Sequence, residues 1–313
     1  MGLHTILGAN GTIADALVPV LQANNEKIRL VSRKPKPVPG AETFTADVTS
    51  REQVFAAVKG SEIVYLLVGI QYNIDVWRRD WPVIIRNVID ACKAANATLV
   101  FFDNAYMYGK VDGPITEETP YRPSSKKGQV RAGIATTLQE EMRSGGLKAI
   151  IARAVDFYGP GVTEKSAPGL LVFTNMRKGK KAQWFINPNV PRSYNYTPDA
   201  GKALYMLAKT PSATGQVWHL PTVDPPLTGK QFVAMAAKYM NASDKVKVLP
   251  RWILKIAGLF NPFMKEMYEM HYQDELPFVF NSSKFEKAFD FKPTSWEEGI
   301  RQTAEWYKQQ PVG

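Results

Sequence analysis

At 313 residues and 45% hydrophobic content, the chain is long and apolar enough for one large domain or two lobes with a substantial core. Its single cysteine, Cys92, excludes an internal disulfide, and His4, His219 and His271 lie too far apart for metal-ligand spacing, so no metal site is expected. The net charge of +10 is spread along the chain without a nucleic-acid-binding motif, so it points to an anionic cofactor or substrate and a basic surface rather than to nucleic acid.

The first elements frame a phosphate site. Residues 5–7 read as a buried strand, residues 15–22 have helical spacing, and Gly8-Ala9-Asn10-Gly11-Thr12-Ile13-Ala14 joins them. Gly8 permits a tight turn, Gly11 lets backbone approach a pyrophosphate, and Ala14 lets helix pack on strand. The N–H groups around Asn10, Thr12 and Ile13, at the positive end of a helix, then face the anion. The spacing is Gly-x-x-Gly-x-x-Ala, not Gly-x-Gly-x-x-Gly, and a purely structural turn is the alternative.

Residues 27–32 form the second strand, which ends in Ser32-Arg33-Lys34 where an NAD-preferring fold has Asp or Glu. A hydroxyl and a guanidinium suit a 2′-phosphate, so NADP is expected over NAD; a solvated basic turn is the alternative. Residues 42–46 are the third strand. Asp47 and Val48 at its end are placed at the adenine, with a plain turn as the other reading, and Thr49 and Ser50 cap a helix through Val58. Residues 62–68 are the fourth strand, whose end brings Val68 and Gly69 to the cofactor. A helix is expected from about Asp80 to Ala95, with Ile84, Ile85, Val88 and Ala91 inward. Strands follow at 99–102, 147–153 and 216–220, the last making His219 a packed strand residue. This alternation predicts an α/β Rossmann fold: a doubly wound parallel sheet with helices on both faces and a smaller C-terminal substrate lobe.

Residues 170–176 predict a helix, and the basic run 177–181 is a solvated turn or, with Arg192, an electropositive rim for an anionic substrate. Asp199 is expected to cap a helix over 200–208. Residues 249–260 look helical and aromatic-rich, followed by Met264, Met267, Tyr268 and Met270. Buried core is the reading taken. A lid, a partner surface and a membrane-surface helix flanked by Arg251 and Lys255 are the alternatives. No apolar run reaches the ~20 residues of a membrane span. The apolar start lacks a basic flank, so no secretory leader is expected, and a cytoplasmic protein without stable membrane association is.

The glycine turn, Asp47-Val48, residues 87–92, Tyr108-Gly109, residues 114–120, residues 153–161, residues 192–199, Ser283-Lys284 and residues 292–300 occur in an order and spacing that resembles the extended short-chain dehydrogenase/reductases of the NAD-dependent epimerase/dehydratase type. The resemblance implies a dinucleotide-binding core over 1–160, with strands from about 190–222, and a substrate lobe over 161–190 and 223–313. It implies that Tyr158 and Gly159 lie beneath the nicotinamide, and that residues 192–199 contact phosphate. It also implies a homodimer through helices 80–95 and 127–143. The family's catalytic Ser or Thr, Tyr and Lys do not carry over: Asn104 stands at the first position, Lys127 at the second and Arg131 at the third. An acid site rebuilt from Asn104, Tyr106, Lys127 and Arg131 is one expectation. It goes with an NADP-dependent oxidoreductase or epimerase-like enzyme on a carbonyl or alcohol, an anionic one included. The alternative is a non-catalytic NADP(H)-binding sensor or interaction protein.

Overall fold

The alternation of strands and helices is realised in the computed structural model, which describes residues 2–310. In chain order the elements are β1 (Leu3–Leu7), α1 (Thr12–Ala23), β2 (Lys27–Ser32), β3 (Ala41–Thr45), α2 (Arg51–Val58), β4 (Ser61–Leu66), α3 (Ile74–Ala95), β5 (Thr98–Asp103), α4 (Lys126–Arg143) and β6 (Ala149–Arg153). Then come β7 (Phe157–Tyr158), α5 (Thr174–Arg177), β8 (Ala182–Phe185), β9 (Asn195–Tyr196), α6 (Thr197–Lys209), β10 (Val217–His219), α7 (Gly229–Met240), β11 (Val246–Leu249), α8 (Arg251–Phe260), α9 (Pro262–Met267), α10 (Ser283–Phe289) and α11 (Trp296–Gln309).

Two units divide the chain. The first comprises residues 1–107, 126–153 and 200–220. It holds a seven-stranded sheet, β10-β6-β5-β4-β1-β2-β3, with every pairing parallel. β1 lies between β2 and β4, so the strand order reverses at the β1/β4 boundary, and the crevice beyond the carboxyl ends there is where such sheets take ligands. The central strands β1, β4, β5 and β6 are buried along most of their length, as expected of parallel strands covered on both faces, whereas the edge strand β3 is not. Ile84, Ile85, Val88 and Ala91 of α3 enter the core with Val54, Leu66, Leu99 and Ile151. Cys92 is buried among them, and burial pushes its thiol up to about 12.

α3 starts at Ile74, six residues ahead of the expected Asp80. Asn73 caps it, its side chain accepting from Asp75 and Val76 N–H, and Pro82 is carried inside the helix rather than in its first turn.

The second unit comprises residues 108–125, 154–199 and 221–313. Residues 108–125, expected with the nucleotide-binding core, group here because Ile115 N–H bonds Val279 O and Asn281 N–H bonds Ile115 O. Its core is aromatic: Tyr158, Phe173, Trp184, Tyr194, Phe232, Trp296 and Tyr307. Asp199 is not the expected cap. α6 begins at Thr197, and Asp199, in the first turn, accepts bonds from Thr294 N–H (2.7 Å) and Thr294 Oγ1 (2.9 Å). The segment after β11 also departs from expectation. α8 buries only Leu254, which packs with Leu171 and Phe185, while Trp252, Ile256, Leu259, Phe260 and then Phe263 are exposed. The i, i+4, i+7 stripe that predicts a core-facing helix faces outward here.

Candidate functional site

The glycine turn is fixed from both neighbouring strands. Gly8 and Ala9 N–H donate to Val31 O (3.0 and 3.1 Å), and Leu67 N–H donates to Leu7 O (2.8 Å). Gly8 has φ of 106°, and a Cβ there would lie 2.8 Å from the passing Leu67–Val68 peptide. A left-handed backbone and a neighbouring main chain at that distance together require glycine. The chain then enters α1 with Gly11 at the cap, which has no side chain to satisfy the first N–H groups of this 12-residue helix. Backbone donors and the positive helix end are the donor set a pyrophosphate requires, so these residues fit a dinucleotide. Thr12 and Ile13 supply the first helical positions, and Ile13 also anchors the helix, its side chain buried.

Asn10 has φ of 72°. Its Nδ2 donates to Lys34 O (2.8 Å) and Ser32 Oγ (3.3 Å), and its Oδ1 accepts from Lys36 N–H (3.0 Å). The side chain therefore ties the turn to the loop after β2, on which Arg33 and Lys34 are exposed. Asp47 Oδ1 accepts from Thr49 N–H (2.9 Å) and Thr49 Oγ1 (2.7 Å). These bonds, joined by the charge of Arg33, hold its carboxyl below the usual carboxylate range despite partial burial. The carbonyls of Val48 and Thr49 accept from Asn87 Nδ2 (3.2 and 3.0 Å), so this loop is pinned to α3. Asn87 opens the stretch 87–92 on which the family resemblance partly rests, but the sequence assigns it no role; its available signal is an amide on the apolar, buried face of α3. Val68 and Gly69 follow β4, and Gly69 is exposed with open space where a Cβ would stand.

The four residues of the altered acid site all belong to the first unit. Asn104 follows β5, and its Oδ1 accepts from Tyr106 N–H (3.0 Å). The Tyr106 ring stacks on Trp77 (centroids 6.3 Å, 12°), and Trp77 meets Tyr72 and Trp81 edge-on. Lys127 is buried, its Nζ 4.7 Å from the centre of the Tyr72 ring. Arg131, one turn on, lies over Trp81 (4.5 Å) and Phe101 (4.9 Å). Its Nε and Nη2 both donate to Asp103 Oδ1, the first at 2.9 Å, while Arg153 Nε donates to Asp103 Oδ2 at 3.3 Å. Asp103 is thus the hub of a buried Arg–Asp–Arg triad, and it too is not singled out by the sequence. An acid ending an apolar strand is the only mark it leaves there.

Tyr158 and Gly159 lie in the second unit. The Tyr158 ring is enclosed, stacked on Trp296 (5.6 Å, 22°) and edge-on to Phe232, and burial raises its hydroxyl well above the ordinary tyrosine range. A Cβ on Gly159 would stand 2.1 Å from Thr197 Oγ1. Arg192 pairs with Asp274 and donates from Nη1 to Gln273 O (3.1 Å), so its charge is matched internally by a carboxylate. Lys178, Lys180 and Lys181 are exposed, and His219 is a buried residue of β10. Among the described residues no group of three His, Cys, Asp or Glu stands close enough to hold a metal, and no helix is long and apolar enough to cross a membrane.

Comparison with known proteins meets this geometry. The model of the NAD dependent epimerase/dehydratase family matches residues 4–220. Over 205 residues the chain is 25% identical to dTDP-glucose 4,6-dehydratase 1 of Escherichia coli (strain K12), covering 61% of this chain and 50% of that protein. The chain thus spans about half the length of that curated relative. The UDP-glucose 4-epimerase of Thermus thermophilus, solved as a complex with NAD, superposes with a TM-score of 0.79 at 20% identity, covering 99% of both chains. A putative epimerase from Burkholderia cenocepacia superposes with a TM-score of 0.81 at 15% identity, covering 99% of this chain and 98% of that one. At these identities the superpositions speak to the fold.

Proposed function

Because the chain belongs to the NAD dependent epimerase/dehydratase family, we propose that it binds NADP(H) across the Gly8–Gly11 turn and acts as an oxidoreductase or epimerase-like enzyme on a carbonyl or alcohol. The observation that carries this is Gly8, held where neither its φ of 106° nor the 2.8 Å approach of the Leu67–Val68 peptide admits a side chain. The choice of NADP rests on Ser32, Arg33 and Lys34, a hydroxyl and two cations at the end of β2 where a carboxylate would repel a 2′-phosphate. Nucleotide-linked sugars, named in the relatives, are the first substrates to test.

A bound nicotinamide supplies or accepts the hydride; the chain positions the substrate oxygen and moves its proton. Asn104, with its Oδ1 committed to the Tyr106 amide, has its amide nitrogen to offer a carbonyl oxygen. Lys127 and Tyr106 are the proton carriers, and Arg131, anchored by Asp103, fixes the turn of α4 that bears Lys127. Asp47, Val48, Val68 and Gly69 border the adenine and ribose side. A homodimer through α3 and α4 accompanies this reading.

One observation favours a second reading, a non-catalytic NADP(H) sensor. The residues at the family's Tyr and Lys positions are buried, Lys127 against Tyr72 and Arg131 against Asp103. Fluorescence titration with NADPH and NADH, followed by a panel of UDP- and dTDP-sugars and simple carbonyls, separates the two. Tighter NADPH binding that weakens about tenfold in Arg33→Ala supports the cofactor assignment. Turnover lost in Lys127→Ala supports the enzyme. Saturable binding with no turnover supports the sensor, and binding of neither nucleotide overturns both.

A further inference from the structure

The exposed stripe of α8 is a surface of definite chemistry. Trp252, Ile256 and Leu259 recur at i, i+4 and i+7, Phe260 adjoins them, and Phe263 continues the patch in α9. Trp252, Leu259 and Phe260 are 64%, 78% and 84% exposed, an arrangement water disfavours unless something covers it. Leu254, on the opposite side, is 1% exposed and anchors the helix on Leu171 and Phe185, so the outward stripe is a fixed feature of a docked helix. The surrounding charge is mainly positive, with Asp244 and Glu266 at the edges of the segment. Residues 245–265 contain Lys245, Lys247, Arg251, Lys255 and Lys265 and no acid. Lys247 is exposed on β11, which pairs in parallel with β8 directly after the exposed Lys180 and Lys181. Arg251 is matched by Glu275, whereas Lys255 lies on the stripe's own side of the helix and is exposed.

We propose that this face docks reversibly on an anionic lipid bilayer, with α8 lying in the plane of the interface. Apolar Trp, Leu and Phe side chains bordered by lysines match an acyl boundary beneath acidic headgroups. Trp252 supplies the amphipathic ring that interfaces favour. A second copy of the chain fits less well. A two-fold contact would bring two copies of one lysine-bordered face together, and five apolar side chains fall far short of the roughly 20 residues a side of a stable dimer. A reversible contact is compatible with the sequence expectation of no stable membrane association, and the proposal is independent of the cofactor reading.

The test is flotation of the full chain with phosphatidylcholine vesicles containing about 30% phosphatidylglycerol, against phosphatidylcholine alone. The expected result is flotation with the anionic vesicles, about tenfold less on phosphatidylcholine, and weakening as salt rises. The double variant Leu259→Ser/Phe260→Ser should lose flotation, and Lys255→Glu/Lys265→Glu should reduce it. These side chains are exposed, and an unchanged melting temperature checks that the variants fold. No flotation at low salt overturns the proposal, as does flotation unaltered in the serine variant. A vesicle-free dimer that the serine variant converts to monomer also overturns it, assigning the face to a second copy.

Discussion

At Gly8 two constraints coincide, and the expected effect of substitution is correspondingly large. Gly8→Ala must place a Cβ at φ of 106° and 2.8 Å from the Leu67–Val68 peptide, so the turn has to shift. A loss of about 2 kcal/mol or more in urea denaturation is expected, together with loss of NADPH binding. Asp103 is the second sensitive residue. Removing it leaves the Arg131 and Arg153 guanidinium groups buried without their shared carboxylate, and Asp103→Ala should cost about 3–5 kcal/mol, read from the same denaturation curves. These two residues differ in how visible they are from sequence. Gly8 stands in a local pattern whose meaning lies within seven residues. Asp103 gains its meaning from Arg131 and Arg153, 28 and 50 residues away, and no local pattern joins them. Asn10 is an intermediate case: its place in the turn is legible, but its bonds to Lys34 and Lys36 depend on where β2 ends.

Among the elements, β2 is legible to the residue, because Ile28, Leu30 and Val31 are buried between a lysine at one end and Ser32-Arg33-Lys34 at the other. α3 is legible only in part. The helical spacing of Ile84, Ile85, Val88 and Ala91 puts the expected start near Asp80; the Asn73 cap and a helix running through Pro82 lie ahead of that apolar pattern. Asn73→Ala should cost about 1 kcal/mol in thermal or urea unfolding, since two N–H groups lose their acceptor. In α8 the period is legible and the side is not. Periodicity reports that a helix has an apolar stripe; it does not say whether protein or something else covers that stripe.

For the molecule as a whole, the fold class is legible because alternating strands and helices leave few parallel topologies. The acid–base behaviour of the first unit is not. His4 is fully buried, its Nε2 3.4 Å from Glu26, whose other oxygen is bonded by Lys209 (2.9 Å) and Tyr205 (3.1 Å). Burial lowers the His4 pKa against the pull of Glu26. An unfolded His4 takes up its proton near 6.5, so stability is full above that pH and falls below it until the folded imidazole is itself protonated. Urea midpoints from about pH 7.5 to about pH 5 should decline, with a shallower slope in His4→Gln. Cys92 adds a reporter of a different kind. It is the chain's one thiol, shut inside the first unit, while the second unit has none. Its reaction with a thiol reagent is therefore a clock that runs only when the first unit opens. Timed with and without NADPH, it would read that unit's opening while the other stays silent, a measure of local breathing that a melting curve of the whole chain averages away.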